Sequence, residues 1–309
     1  MTTLLLTHSA SFHHETPEGH PERPARMQAV EKALAAPQFN DLVRELAPEG
    51  SLDIVALCHN EHYIDELRHV APKDGVVYLD GDTSMSPGTW EAVMRGVGGA
   101  VAAVDAVMGG KVDNAFVATR PPGHHAETAK PMGFCFFDHA AIGARYAQRK
   151  YGIDRVAVVD FDVHHGNGTQ EIFWADKTVM YCSTHQMPLF PGTGSTSERG
   201  EHDTVVNAPL RPGDDGAKFR QAFEGVILPQ LKKFAPELLV ISAGFDAHWR
   251  DPLANIQLSE QDFGWVTKKL MDVANESAQG RVVSVLEGGY DLQGLHDSVT
   301  EHVTALIGK

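Results

Sequence analysis

The chain has 309 residues, 42% hydrophobic and 8% aromatic, enough apolar material for a large core, which excludes a disordered segment. Its 41 acidic and 26 basic residues leave a formal charge of −15, which argues against a broad nucleic-acid-binding face and favours cationic or neutral ligands. Cys58, Cys135 and Cys182 form no CxxC pair, against a disulfide framework or thiolate zinc site; with no basic leader and no apolar run of about 18 residues, the expectation is a cytoplasmic protein without a membrane span.

In chain order, short apolar runs predict strands at Leu4–Leu6, Asn114–Ala118, Val156–Val159, Val179–Cys182, Leu238–Ser242 and Val282–Leu286. Helices are predicted at Pro24–Ala35, Trp90–Met108, Asp138–Lys150 and Phe219–Lys233. This alternation implies an α/β fold with a mainly parallel sheet, and with no repeat or convincing linker the chain is taken as a single domain over residues 1–309.

Ligands of open α/β sheets gather beyond the carboxyl ends of strands, and four of these strands end in unusual chemistry. One leads into Arg120-Pro121-Pro122-Gly123-His124-His125, the next into Asp160-Phe161-Asp162-Val163-His164-His165-Gly166-Asn167-Gly168. The other two lead into Gly244-Phe245-Asp246 and Glu287-Gly288-Gly289-Tyr290. At a strand's two-residue period Asp160, Asp162 and His164 point one way while Phe161 and Val163 face a core. Two carboxylates there are costly to bury without a cation. Asp162, His164 and Asp246 form a three-donor set that suits zinc or iron and leaves a position for water or substrate. Asp160 fits behind an imidazole, fixing its tautomer. His124 and His125 suit acid–base chemistry near neutrality, and Tyr290 suits a hydrogen bond to an oxyanion. His13-His14 reads as a loop feature.

With Gly19-His20-Pro21-Glu22-Arg23-Pro24, Met132-Gly133-Phe134-Cys135 and Phe190-Pro191-Gly192-Thr193-Gly194, these motifs resemble, in order from Gly19 to Tyr290, the histone deacetylase superfamily. Class II members and bacterial deacetylase-like amidohydrolases are the most similar branch. The resemblance implies an arginase/deacetylase-like three-layer fold around an eight-stranded sheet. It also implies a zinc-dependent amidohydrolase that removes acetyl or short acyl groups from amines. Carried over, Asp162, His164 and Asp246 hold zinc, with iron as the alternative. His125 is general base and then acid, and His124, backed by Asp160, stays protonated. Asn167 stands where many class I members carry Asp and leaves His125 less basic. Tyr290 polarises the carbonyl. Gly133, Phe134 and Phe190 form a narrow tunnel, Arg26 lies beneath the site, and Leu253 occupies a rim position that is acidic in polyamine-selective members.

A structural potassium is implied at Asp160, Ser183 and Thr184 with the Asp162 and His164 carbonyls, and an outer site at Phe173, Asp176 and Val179; His185 is given a structural role. The partner implied is acetyl-lysine in a peptide or protein, with acetylpolyamine or another small acylamine as the alternative; neither nucleic acid nor membrane is expected, and a homo-oligomer is compatible with the sequence. A two-metal ureohydrolase would need more flanking Asp and His ligands, and a silent acyl-lysine binder would lack a ligand or the Tyr.

Overall fold

The computed structural model describes residues 1–309. Its strands are β1 (Thr3–Thr7), β2 (Val43–Leu46), β3 (Val77–Tyr78), β4 (Ser84–Met85), β5 (Asn114–Val117), β6 (Val156–Asp160), β7 (Val179–Ser183), β8 (Val205–Asn207), β9 (Leu238–Ala243) and β10 (Val282–Leu286). Eight of them form one sheet in the order β2-β1-β5-β10-β9-β6-β7-β8, every pairing parallel. β3 and β4 pair separately and antiparallel.

Alternation along the strands divides the core. Leu5, Phe116, Ala157, Val159, Leu239 and Ile241 pack on one face with the helices Ala25–Leu34, Glu260–Ser277 and Leu292–Leu306. Their neighbours Leu4, Leu6, Ala115, Val117, Val156, Val158 and Val240 pack on the other with the helices Thr89–Met108 and His139–Tyr151. Both faces of the sheet are therefore covered, which is why its strands read as continuous apolar runs.

The predicted helices form with ends shifted by about a residue, and the third starts where Asp138 accepts the Ala141 N–H. The fourth differs: it is Gly216–Ala222, a π-helical turn at Phe223–Ile227, and Leu228–Phe234. Pro229 cannot donate to the carbonyl of Gly225 one turn back, and the backbone widens there. No helix is long and apolar enough to cross a membrane.

A cluster of three buried polar side chains sits inside the first layer. His302 is buried, 2.9 Å from Ser284 Oγ and 2.7 Å from Thr267 Oγ1, and burial pushes its pKa down to about 3. The unfolded chain binds this proton near pH 6.5, so the contribution is complete above that value. It falls as pH drops toward the folded pKa, by about 1.4 kcal/mol per pH unit. Melting temperature is thus expected to fall between pH 7 and pH 5, and less steeply in His302→Gln. An identical slope in the variant would show that His302 does not couple folding to protons.

Candidate active site

The four strands with unusual ends are neighbours, β5-β10-β9-β6, at the centre of the sheet, so their loops converge on one spot. β6 itself ends at Asp160, and the two-residue rhythm beyond it is kept by side chains. Asp160 Oδ1 accepts the Asp162 N–H at 3.0 Å, and Asp162 Oδ1 accepts the His164 N–H at 2.9 Å. Phe161 and Val163 are buried on the core side.

His164 Nδ1 lies 3.2 Å from Asp162 Oδ1 and 3.0 Å from Asp246 Oδ2, and ligand atoms of these three residues all fall within 4.8 Å of one another. Each carboxylate uses its other oxygen on backbone: Asp162 Oδ2 accepts Gly288 N–H at 2.8 Å and Asp246 Oδ1 accepts Val163 N–H at 2.8 Å. A Cβ at Gly288 would stand 2.4 Å from Asp246 Oδ2 and 2.6 Å from Asp162 Oδ2, so glycine is required for this approach. Although burial opposes its charge, the two carboxylates raise the His164 pKa to about 10. The carboxylates themselves move in opposite directions. Asp162 stays well below the usual range against burial because His124 as well as His164 faces it, whereas burial and the Asp162 charge push Asp246 up to about 6. This buried pair demands a positive charge, and the donor set fits a divalent cation that would take the place of the His164 proton.

Beside the cluster, His124 Nδ1 lies 2.9 Å from Asp160 Oδ2, which also accepts Tyr181 OH at 3.0 Å. Burial disfavours the His124 cation, yet Asp160 and Asp162 hold its pKa well above the ordinary value. His125 goes the other way: burial, then the charges of His124 and His164, hold its pKa well below the ordinary value. Asn167 Nδ2 donates to Glu127 Oε1 at 2.8 Å, which turns Asn167 Oδ1 toward His125 Nδ1 at 2.8 Å. His125 therefore carries its proton on Nδ1 and presents a bare Nε2.

Above these groups lies a cavity of about 240 Å³ lined by His125, Gly133, Phe134, His164, Phe190, Leu253 and Tyr290, together with Asp82 and Leu189. Phe134 stands edge-on to Tyr290 at 5.8 Å and Phe190 edge-on to His125 at 5.1 Å. A larger groove of about 580 Å³ beside Glu61–Val70 holds no metal-ligand cluster, so the smaller cavity is the site. Tyr290 is held by its N–H on Asp251 Oδ2 at 2.7 Å and by the Arg26 guanidinium, 4.9 Å from its ring centroid. Arg26 lies beneath, bonded to the carbonyls of Gly289 and Glu287 and to Glu22 Oε1. Next to the centre, Thr184 Oγ1 is buried without a hydrogen-bond partner, while Ser183 Oγ pairs with His185 Nδ1 at 2.9 Å.

Three groups here have no role in the sequence analysis, and a fourth, His14, departs from its reading as a loop feature. Asp82 lines the cavity, but Asp80-Gly81-Asp82-Thr83 reads as an ordinary polar turn. Asp251 supports Tyr290. Glu287 Oε2 accepts the Gly123 and His124 N–H groups at 2.7 and 3.2 Å, and burial pushes its pKa up to about 8. His14 is more than a loop residue: it turns inward to Thr89 Oγ1 and to Glu22, which also pairs with Arg120.

Acid–base side chains around a cation-seeking cluster at the floor of an apolar cavity, on a wholly parallel sheet, define a hydrolase of the α/β class. Residues 20–306 match the histone deacetylase domain, and the chain belongs to the histone deacetylase family and is a deacetylase. It is 41% identical to an uncharacterized protein of Synechocystis sp., covering 98% of this chain and 99% of that one. It is 38% identical to the histone deacetylase-like amidohydrolase of Pseudomonas aeruginosa, over 88% of this chain and 73% of the relative. Among solved structures, the HDA15 HD domain superposes with a TM-score of 0.93 at 32% identity, covering 100% of this chain and 90% of that domain.

Proposed function

We propose that this deacetylase is zinc-dependent and hydrolyses the amide of Nε-acetyl-lysine; the single observation that carries the reading is that His164, one member of the Asp162, His164 and Asp246 cluster, lines the same cavity as Phe134, Phe190, His125 and Tyr290. Those three residues would hold the zinc. When bound, it supplies a Lewis acid that polarises the amide carbonyl and makes water a nucleophile near neutral pH.

The chain's own groups do the rest. His125 Nε2 takes a proton from the attacking water and returns it to the departing amine. His124, kept protonated by Asp160 and Asp162, supplies positive charge beside the reacting carbonyl. Burial, with Asp246 adding and Arg26 opposing, holds the Tyr290 pKa well above its ordinary value, so its hydroxyl stays a donor for the carbonyl oxygen as negative charge builds there. Phe134 and Phe190 clasp an aliphatic stem and keep water out. The unpartnered Thr184 Oγ1 fits a potassium ion held with Asp160 and Ser183.

Leu253 at the mouth favours acetyl-lysine over a polycation. A second reading, acetylpolyamine, is favoured by Asp82, whose carboxylate also lines the cavity. Metal-analysed protein given an acetyl-lysine peptide and an acetylpolyamine side by side is expected to prefer the peptide and to lose turnover with a chelator. Preference for the polyamine would shift the reading to Asp82; turnover that survives complete metal removal would end the zinc assignment.

A further inference from the structure

The loop that carries Phe190 has few apolar anchors of its own, since Phe190 is 41% exposed and Gly192 and Thr193 are exposed. What holds the loop is a polar knot three to eight residues further along the chain. Glu198 accepts three N–H groups: Gly194 at 2.9 Å and Gln170 Nε2 at 2.7 Å on one oxygen, Ser195 at 3.0 Å on the other. Gln170 in turn accepts from His165 Nε2 at 3.0 Å, and His165 Nδ1 meets Thr193 Oγ1 at 2.8 Å. From the other side His185 Nε2 donates to the Gly194 carbonyl at 2.8 Å. Gly194 has φ +95°, and a Cβ there would lie 2.4 Å from His185 Nε2, so the backbone itself is clamped between the two imidazoles. His165 directly follows His164, which ties the knot to the floor of the cavity.

We infer that Glu198 is a positioning residue for the deacetylation reaction, fixing through Gly194 and Ser195 the loop that places Phe190 against His125, and so setting how tightly the tunnel grips its substrate. This inference rests on the tunnel assignment proposed above. A loosened Phe190 weakens uniform binding of the stem and leaves the acid–base groups in place, so the effect belongs in KM and not in kcat.

The test is a double-mutant cycle on the full metallated chain with an acetyl-lysine peptide. Glu198→Ala is expected to raise KM roughly tenfold with kcat within about twofold, and Glu198→Gln, which keeps one acceptor oxygen, to give a smaller rise. Phe190→Ala is expected to raise KM as well, and adding Glu198→Ala to it to change nothing further, because coupled residues are not additive. Hydrogen exchange at the Gly194 and Ser195 amides, both accepted by Glu198, is expected to accelerate in Glu198→Ala. Additive KM effects, a loss confined to kcat, or unchanged exchange would each overturn the assignment. If the wild-type protein does not hydrolyse the peptide, the substrate reading fails, and exchange at Gly194 and Ser195 alone decides whether Glu198 holds the loop.

Discussion

Replacing Tyr290 by phenylalanine is expected to lower turnover by about 10²–10³-fold, the usual effect of removing one donor from a developing oxyanion, while binding of an unreacted acylamine changes little. The variant keeps the ring that packs edge-on to Phe134 and against the Arg26 guanidinium, and the main-chain bond to Asp251 is untouched. Only the hydroxyl is lost, so folding and metal content should match the wild type. Steady-state kinetics with a metal assay checks this. Equal turnover in the variant would remove Tyr290 from the chemistry and leave it a packing residue.

His125→Ala is expected to cost about 10²–10⁴ in kcat, the range of a positioned general acid–base group. The reason is the tautomer: Asn167 fixes the proton on Nδ1, and the depressed pKa leaves Nε2 free to accept. His124→Ala is expected to lose less, because His124 already holds its proton and contributes charge without exchanging it. Metal content should survive in His125→Ala, since that residue is outside the three-donor cluster. A more severe defect in His124→Ala than in His125→Ala would exchange the two roles.

Much of this was legible in the sequence because buried parallel strands read as apolar runs and because their polar ends are abrupt. All six predicted strands form, yet β2 and β8 have no such signature. β2 is a four-residue edge strand, exposed throughout, and β8 has three residues; neither is long or buried enough to show a pattern. The resemblance to deacetylases supplied the count of eight strands, which periodicity did not. Asp160, Asp162 and His164 do face one way, though through carboxylate-to-amide bonds and not through an extended strand. The sequence places Gly133, Phe134, Phe190 and Leu253 only by resemblance, and the structure brings all four to one cavity. Asp82, Asp251 and the part played by Glu287 do not show in the sequence because each acts on a backbone amide or a cavity far away in the chain, whereas Glu198 lies three and four residues from the amides it accepts and matters only through where that loop sits.

The order of the sheet has a consequence for how the chain is made. Of the eight strands in this sheet β10 comes last in the chain and yet lies between β5 and β9. Until it emerges, the strands already synthesised fall into two ribbons, β2-β1-β5 and β9-β6-β7-β8, each with a raw inner edge that invites pairing with another chain. Gly288 and Tyr290 arrive with that same strand, so a nascent or truncated chain that stops short of it has neither a continuous sheet nor a catalytic centre. The middle of the sheet and the Tyr290 side of the site are thereby completed in one late step, just before the helix Leu292–Leu306 closes the core face beside it, and a product terminated ahead of β10 would be an aggregation hazard.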